Sequence, residues 1–465
     1  MQWLPWIAET FARAARERKP ILLSISAAWC RACHEMDRTT YADADVEAIA
    51  AERYVAVRVD ADHRPDIDAR YNLGGWPTTA FLTPEGELIG GGTYLDPGRM
   101  VSVLRQIADA YAALATEATQ SHVAHTQPAR NRECSASGAP DATQVFASFD
   151  EHYGGFGIEP KFPFTSPLHL AMELYRENGD PQYRLIVEGT LDAIAEGGLH
   201  DVESGGYYRY ATTRTWQLPH REQLLETNAR LLSAFVESAA TFQRAIDRDR
   251  AVEVAGFVER LASASGGYRG STDHVRVFAA STGCAVTALL ASASLTGDER
   301  LAREALRQFE SFLLAAYRPG HGIAHAVDEE LRSLRLVADQ IAIGDALLAA
   351  HAMTGDEPYL MMAEELGHYS LRMFAAGGGG FFDRVREPSD VGLLRDVRFG
   401  YVDNCTAAVF FARLRRISDE AAFAGVAEQA LACVGSAAAE HGPEAARWLL
   451  AAREVCKDAT DAQRS

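Results

Sequence analysis

Basic charge is in short supply in this sequence of 465 residues: 45 Lys and Arg stand against 64 Asp and Glu, a formal net charge of −19. A surface that acidic repels phosphate backbones and anionic lipids, so neither nucleic acid nor a membrane is an expected partner. Long apolar runs are also missing, and none is read as approaching the ~18–20 residues of a spanning helix. The opening Met1-Gln-Trp-Leu-Pro-Trp6 has no basic cluster and no apolar signal core, which points to the cytoplasm. Cysteines number seven, and apart from Cys30 and Cys33 they are scattered. Cys134, Cys284, Cys405, Cys433 and Cys456 are therefore expected as free thiols, mostly buried as small hydrophobes. No cofactor motif and no metal-ligand set stands out, so neither is expected, and the chain is expected to be a monomer. Hydrophobic residues make up 48% and charged residues 23%, ordinary for a soluble globular protein. The length allows two or three domains.

The most chemically specific stretch lies near the start. An apolar strand, Ile21-Leu-Leu-Ser-Ile25, runs into Trp29-Cys-Arg-Ala-Cys-His34, and Gly74-Gly-Trp-Pro77 later leads into a second strand from Thr78 to Leu82. A Cys-x-x-Cys at the mouth of a helix beside a Trp-Pro-Thr turn reads as a thioredoxin-like redox site. A thiolate at Cys30 would gain from the helix dipole. Cys33, one turn on, would resolve a mixed disulfide. Pro77 would shape the groove for a protein disulfide client, flanked by Trp29 and Trp76. Two cysteines packed together with no chemistry is the plain alternative. A haem attachment at Cys30-Arg-Ala-Cys-His34 would need export and an axial ligand. Zinc would need a second ligand pair, for which only His34 and His63 offer themselves. The surrounding order, helix–strand–helix–strand–helix–strand–strand–helix, is that of a thioredoxin fold over residues 1–115.

Residues 116–142 lose periodicity and turn to Thr, Ser, Gln, Ala, Pro and Gly, the composition of a linker. From 143 to 465 the pattern is helical, in about twelve segments that fall into pairs. Glycine-aromatic loops recur roughly every 51–61 residues, at Gly154-Gly-Phe, Gly205-Gly-Tyr, Gly266-Gly-Tyr and Gly378-Gly-Gly-Phe, with His321-Gly-Ile as a degenerate member. Tight turns such as Thr296-Gly-Asp-Glu299 alternate with them. Six helical hairpins with short turns on one side and long loops on the other predict an (α/α)6 toroid, with an open solenoid as the alternative.

The long loops carry the polar groups. His220 and Glu222 precede Glu226 and Asn228, and later loops bring Asp339 and Gln340, Asp383, and Asp403 and Asn404. A closed ring would gather them at one mouth. Carboxylates and histidine over the aromatic walls of Tyr208 and Trp216 suit a sugar-like small molecule and acid–base chemistry, with His220, Glu222 and Asp339 as catalytic candidates. The same residues could instead cap helices and satisfy loop backbone. Lys161, between two prolines, is a candidate pocket cation.

Taken in order, Trp29-Cys-x-x-Cys-His34, Gly74-Gly-Trp-Pro77, Gly91-Gly-Thr-Tyr94, Gly154-Gly-Phe-Gly-x-x-Pro-Lys-Phe-Pro163, Trp216-x-x-Pro-His-x-Glu222, Asn228 and Asp339-Gln340 carry a resemblance over nearly the whole chain. It resembles the family of the spermatogenesis-associated thioredoxin-like protein and its bacterial relatives. That resemblance implies an α/β thioredoxin-like domain followed by a six-hairpin, glycosidase-like all-α toroid. It carries over His220, Glu222, Asn228, Asp339 and Gln340. The sequence departs from the family at Arg31-Ala32, where His-Trp is usual, and at Gln223 and Thr227, where Lys and Asp are usual. Three functions follow as expectations: disulfide exchange at Cys30/Cys33, a carbohydrate-active toroid of epimerase, isomerase or glycosidase type, or a toroid that only presents a client.

Overall fold

In the computed structural model the described residues are 1–118, 140–327, 334–418 and 420–461. They form two compact units: Met1–Asn131 with Arg386–Val397, and Arg132–Val385 with Arg398–Ser465. Most of the expected linker 116–142 lies outside the described residues, as does Cys134.

The first unit runs α1 (Ala8–Glu17), β1 (Ile21–Ser26), α2 (Arg31–Thr39), α3 (Ala44–Arg53), β2 (Val55–Asp60), α4 (Pro65–Tyr71), β3 (Thr78–Leu82), β4 (Leu88–Gly92) and α5 (Pro97–Ala118). The sheet order is β2-β1-β3-β4. β1 pairs parallel with β2 and antiparallel with β3, and β3 pairs antiparallel with β4. This is the thioredoxin-like arrangement. Ile21 to Ile25 are buried throughout, as a central strand covered on both faces requires. Local chemistry sets the helix starts. Asp43 accepts the N–H groups of Asp45 and Val46 to begin α3, and Pro65 fills the first position of α4.

The second unit opens with a short helix, α6 (Ala142–Phe146), where the sequence predicted a helix to 152. Hairpins follow: α7 (Ser166–Asn178) with α8 (Pro181–Glu196), α9 (Leu225–Phe242) with α10 (Ala245–Arg260), α11 (Ala279–Thr296) with α12 (Glu299–Ala316), and α13 (Val337–Thr354) with α14 (Glu357–Phe374). α15 (Tyr401–Ile417), α16 (Val426–Val434) and α17 (Ala446–Asp461) complete it. The tight turns are Gly–Asp pairs with separate tasks. Gly179 and Gly297 end α7 and α11 in left-handed conformation, and Asp180 and Asp298 then cap α8 and α12. The ring closes: Arg453 and Lys457 of α17 pair with Glu177 and Glu173 of α7, each at 3.2 Å. The unit is therefore a toroid and not an open solenoid. α11 corrects the expectation about apolar runs, being 18 residues long with mean hydropathy 1.3. Its Ala285, Val286, Ala288, Leu289 and Leu290 are buried, which marks it as a core helix of the toroid.

Candidate functional site

Cys30 caps α2, and its Sγ accepts the Cys33 N–H at 3.1 Å. The two cysteines form a disulfide and are 3% and 2% exposed. The register of β1 with β3 pairs Ile25 with Thr78, so Pro77 stands opposite the end of β1, where the chain leaves for Cys30. The Trp76–Pro77 peptide is cis. Trp29 meets Trp76 edge-on, with centroids 5.5 Å apart. Each indole is tethered: Trp29 Nε1 donates to Asp62 at 2.7 Å and Trp76 Nε1 to Asp68 at 3.0 Å. Burial raises the Asp68 carboxyl above its ordinary range, against the hydrogen bonds it accepts from Asn72 and Trp76. The sequence-predicted residues Cys30, Cys33, Trp29, Trp76 and Pro77 thus come together.

In the toroid the predicted residues separate into three groups. The first is structural. The fourth residues of four successive hairpin-opening helices are Asn228, Thr282, Gln340 and Asn404. Asn228 accepts the Tyr207 N–H (2.7 Å) and donates to the Tyr207 and Leu224 carbonyls. Gln340 does the same with Ile323 and Leu336, and Asn404 with Phe381 and Gly400. Thr282 repeats the motif weakly, accepting from Tyr268 at 3.5 Å. These amides are 0% exposed, so all of their hydrogen-bonding capacity goes to backbone. This corrects the expectation that Asn228, Gln340 and Asn404 contact a ligand. It also explains the glycine-aromatic repeat: a Cβ at Gly322 would strike Gln340 Oε1, and one at Gly380 would sit 2.6 Å from Cys433 Sγ.

Lys161 and Trp216 also turn inward. Lys161, 0% exposed, donates to Asp150 at 2.8 Å and to the Arg214 carbonyl at 3.1 Å. Arg214 grips the same carboxylate through two nitrogens. Arg214, and then Lys161, hold Asp150 far below the usual carboxylate range, while burial lowers Lys161 despite its partner. Trp216 is 1% exposed and bonds the Tyr153 carbonyl. Lys161 is sealed away from solvent, against the expectation of a pocket cation, whereas Trp216 contributes to the wall of a cleft with Tyr153, Arg184 and Glu196. Tyr208 is half-buried beside Asp201, where Gln223 and Ser204 also bond.

The third group comprises His220, Glu222, Asp339 and Asp403. His220 and Glu222 lie just before α9, in a short ladder of Tyr210–Ala211 with Pro219–His220, rather than in the helix itself. His220 stacks on Tyr210 (4.3 Å), which stacks on Phe162 (4.6 Å). Glu222 is 4% exposed, and its Oε2 makes no hydrogen bond among the described residues; the His220 Nδ1 is 3.8 Å away. Asp339, the third residue of α13, accepts from His325 Nδ1 at 2.9 Å and from the Ala280 N–H at 3.1 Å. His325 is 5% exposed and lies against Phe278. Asp403 holds the equivalent third position on α15. Burial pushes its carboxyl up to about 6; Arg398 opposes that shift, and Asp383 and Asp339 add to it. Glu226 pairs with Arg230 near Cys284, whose thiol burial raises to about 11. Sequence reasoning missed His325, Tyr210, Phe162 and Arg230. His325 was legible only as a histidine in the degenerate repeat loop that begins at His321. Of the expected buried thiols, Cys405 is buried, Cys284 and Cys433 are half-buried, and Cys456 is exposed.

Comparison with known proteins agrees with this architecture. Residues 1–128 match the family model Thioredox_DsbH, described as protein of unknown function, DUF255. Human spermatogenesis-associated protein 20 is 29% identical over 306 residues, covering 59% of this chain and 39% of that protein. An uncharacterized protein of Caenorhabditis elegans is 27% identical over 301 residues, covering 59% and 41%. The matched part of the chain thus spans about two fifths of these relatives' length. Among solved structures, cellobiose 2-epimerase from Bacillus thermoamylovorans superposes with a TM-score of 0.53 at 13% identity, over 62% of this chain and 82% of that one. D-mannose isomerase gives 0.53 at 11%, over 62% and 81%. At such identities the likeness is one of fold. The chain is thus similar to spermatogenesis-associated protein 20 over that stretch, and its fold is a thioredoxin-like DUF255 domain followed by a six-hairpin toroid.

Proposed function

We propose that the first unit exchanges disulfides through Cys30 and Cys33. The observation that carries this is Cys30 as the cap of α2, its sulfur already accepting the Cys33 N–H. The same N–H and the helix dipole stabilise a thiolate there once the disulfide is reduced. In the reduced protein the Cys30 thiolate attacks one sulfur of a client disulfide. The client S–S bond breaks, and its other sulfur leaves as a thiolate that takes up a proton. Cys33 then gives up its proton and attacks Cys30 Sγ, which releases the second client thiolate and re-forms Cys30–Cys33. Two electrons pass from protein to client, and the reverse sequence oxidises a client dithiol. Reduction of a protein disulfide such as insulin's by the wild type, with loss of activity in Cys30→Ser, is the expected result. Equal rates in both would refute it.

A second reading concerns the toroid: it holds a neutral sugar-like ligand and moves protons on it. The His325–Asp339 pair favours this reading. Asp339 orients the His325 ring through one nitrogen, and the Asp403 carboxyl, raised by burial to about 6, is close enough to neutrality to serve as partner acid. Epimerases and isomerases with the same fold lend support by analogy alone. Asp339→Asn is expected to lower turnover at least ~100-fold on whichever hexose or disaccharide of a test panel is accepted. No binding and no turnover across the panel would count against this reading.

A further inference from the structure

Residues 386–397 interrupt the toroid sequence between α14 and α15, yet they belong to the thioredoxin-like unit. The excursion is closed at its neck, where the Asp383 N–H donates to the Arg398 carbonyl at 3.0 Å. Its tip is the short turn Gly392–Arg395, with Val391 and Leu394 buried. Two adjacent residues at the end of α4 hold that tip. Tyr71 Oη accepts the Leu393 N–H (2.7 Å) and donates to the Gly86 carbonyl (2.8 Å). Arg70 donates from Nε to the Leu393 carbonyl (2.9 Å) and from Nη2 to the Asp396 carbonyl (3.1 Å). The seat is close enough to require glycine on both sides. A Cβ on Gly86 would strike the Gly392 Cα, and one on Gly392, which has φ +58°, would strike Tyr71 Oη.

The same helix reaches the redox pair from its other turn. Asp68 holds the Trp76 indole, Trp76 meets Trp29 edge-on, and Trp29 adjoins Cys30. Only one residue separates Asp68 from Arg70 on a helix of 7 residues, so α4 cannot shift at one end alone. We propose that this segment is a redox-sensitive strap: α4 clasps it while Cys30–Cys33 is oxidised and loosens it on reduction. The inference rests on the disulfide-exchange reading. Reduction adds two electrons and two protons and turns one S–S bond into two thiols, which move apart to non-bonded distance. The pair is 2–3% exposed, so the sulfurs have no empty space to enter. The displacement falls on Trp29, passes to Trp76 and reaches the Asp68 hydrogen bond.

Hydrogen exchange on the full chain tests this, comparing protein oxidised with diamide against protein reduced with tris(2-carboxyethyl)phosphine, with alkylation mass reporting the state of Cys30 and Cys33. Peptides spanning 386–397 should exchange roughly fivefold faster or more on reduction. The Cys30→Ser/Cys33→Ser double variant should show no response to the phosphine. Tyr71→Phe, which removes the acceptor for the Leu393 N–H, should exchange fast in both states and so calibrates what release looks like. Strap exchange that stays the same while alkylation proves reduction overturns the strap and leaves the redox reading standing. A chain that never forms Cys30–Cys33 under oxidant overturns both.

Discussion

Single residues divide into those that hold loops and those that hold charge ready. Lys161 is the clearest of the first kind. Its ammonium is fully buried against Asp150, so Lys161→Ala leaves a cavity and an under-compensated carboxylate, with the half-exposed Arg214 as its only other cation among the described residues. A loss of about 3 kcal/mol in urea unfolding is expected, the low end for breaking a buried pair. The pH dependence follows from the direction of the shift. Asp150 is depressed in the folded protein, so its contribution is complete above the unfolded value of ~3.9 and fades as pH falls below it. Asp403 runs the other way. Its folded carboxyl is raised to about 6, so the wild type gives up stability as pH rises from ~4 through 6. Asp403→Asn is therefore expected to raise the melting temperature at pH 8, with the gain vanishing near pH 4; calorimetry at the two pH values checks it. Lys161 was legible in the sequence as a candidate pocket cation, not as the buried partner of a carboxylate. Its partner Asp150, eleven residues earlier in a loop, carried no periodic signal that could have identified it.

At the level of elements, the glycine-aromatic loops and the amides that pin them form one device repeated around the ring. Each amide satisfies two backbone groups of an incoming loop and one carbonyl of its own helix, all sealed from water. Removing it orphans buried donors and acceptors at ~1–3 kcal/mol each. Asn404→Ala and Gln340→Ala are each expected to cost about 3 kcal/mol in urea unfolding, while the exposed Thr406 close by should tolerate Ala within ~0.5 kcal/mol. The sequence showed the repeat through its glycines and the pins through their polarity, but polarity alone does not distinguish a loop pin from a ligand contact. Only the fourth-residue register of Asn228, Thr282, Gln340 and Asn404 makes that distinction, and it depends on helix starts, the least sharply encoded feature of a helix. His220 illustrates this: α9 begins only at Leu225, so His220 lies in a short ladder with Tyr210 and Glu222 in the buried stretch before the helix.

At the level of the molecule, both architectures were legible because each rests on long, consistent signals. The thioredoxin-like unit has a buried central strand bounded by Cys-x-x-Cys and Trp-Pro-Thr, and the toroid has twelve amphipathic segments with alternating loop lengths. The strap was not legible. Residues 386–397 look like an ordinary long loop between helices, and their partners Arg70 and Tyr71 lie more than three hundred positions away. Closure of the ring by α17 was inferred from pair counting and has a physical consequence. Deleting residues 446–461 would uncover α7 and α15 and remove the Arg453–Glu177 and Lys457–Glu173 pairs. The toroid should then lose its cooperative unfolding transition, as circular dichroism at 222 nm would record. The thioredoxin-like unit, with its own core around Leu22, Phe81 and Leu104, should keep its transition.

Disulfide exchange as proposed depends on Cys30 being an activated thiol at a helix start. Arg31, exposed at the first position of α2, should add little through solvent, so Arg31→Ala is expected to slow alkylation of Cys30 less than twofold. The direct test is the pH profile of iodoacetamide alkylation in the reduced protein, followed site by site by mass spectrometry. The account predicts Cys30 modified first, with a midpoint below the ~8.5 of an unperturbed cysteine. A midpoint at or above ~8.5, or Cys33 reacting ahead of Cys30, would contradict it.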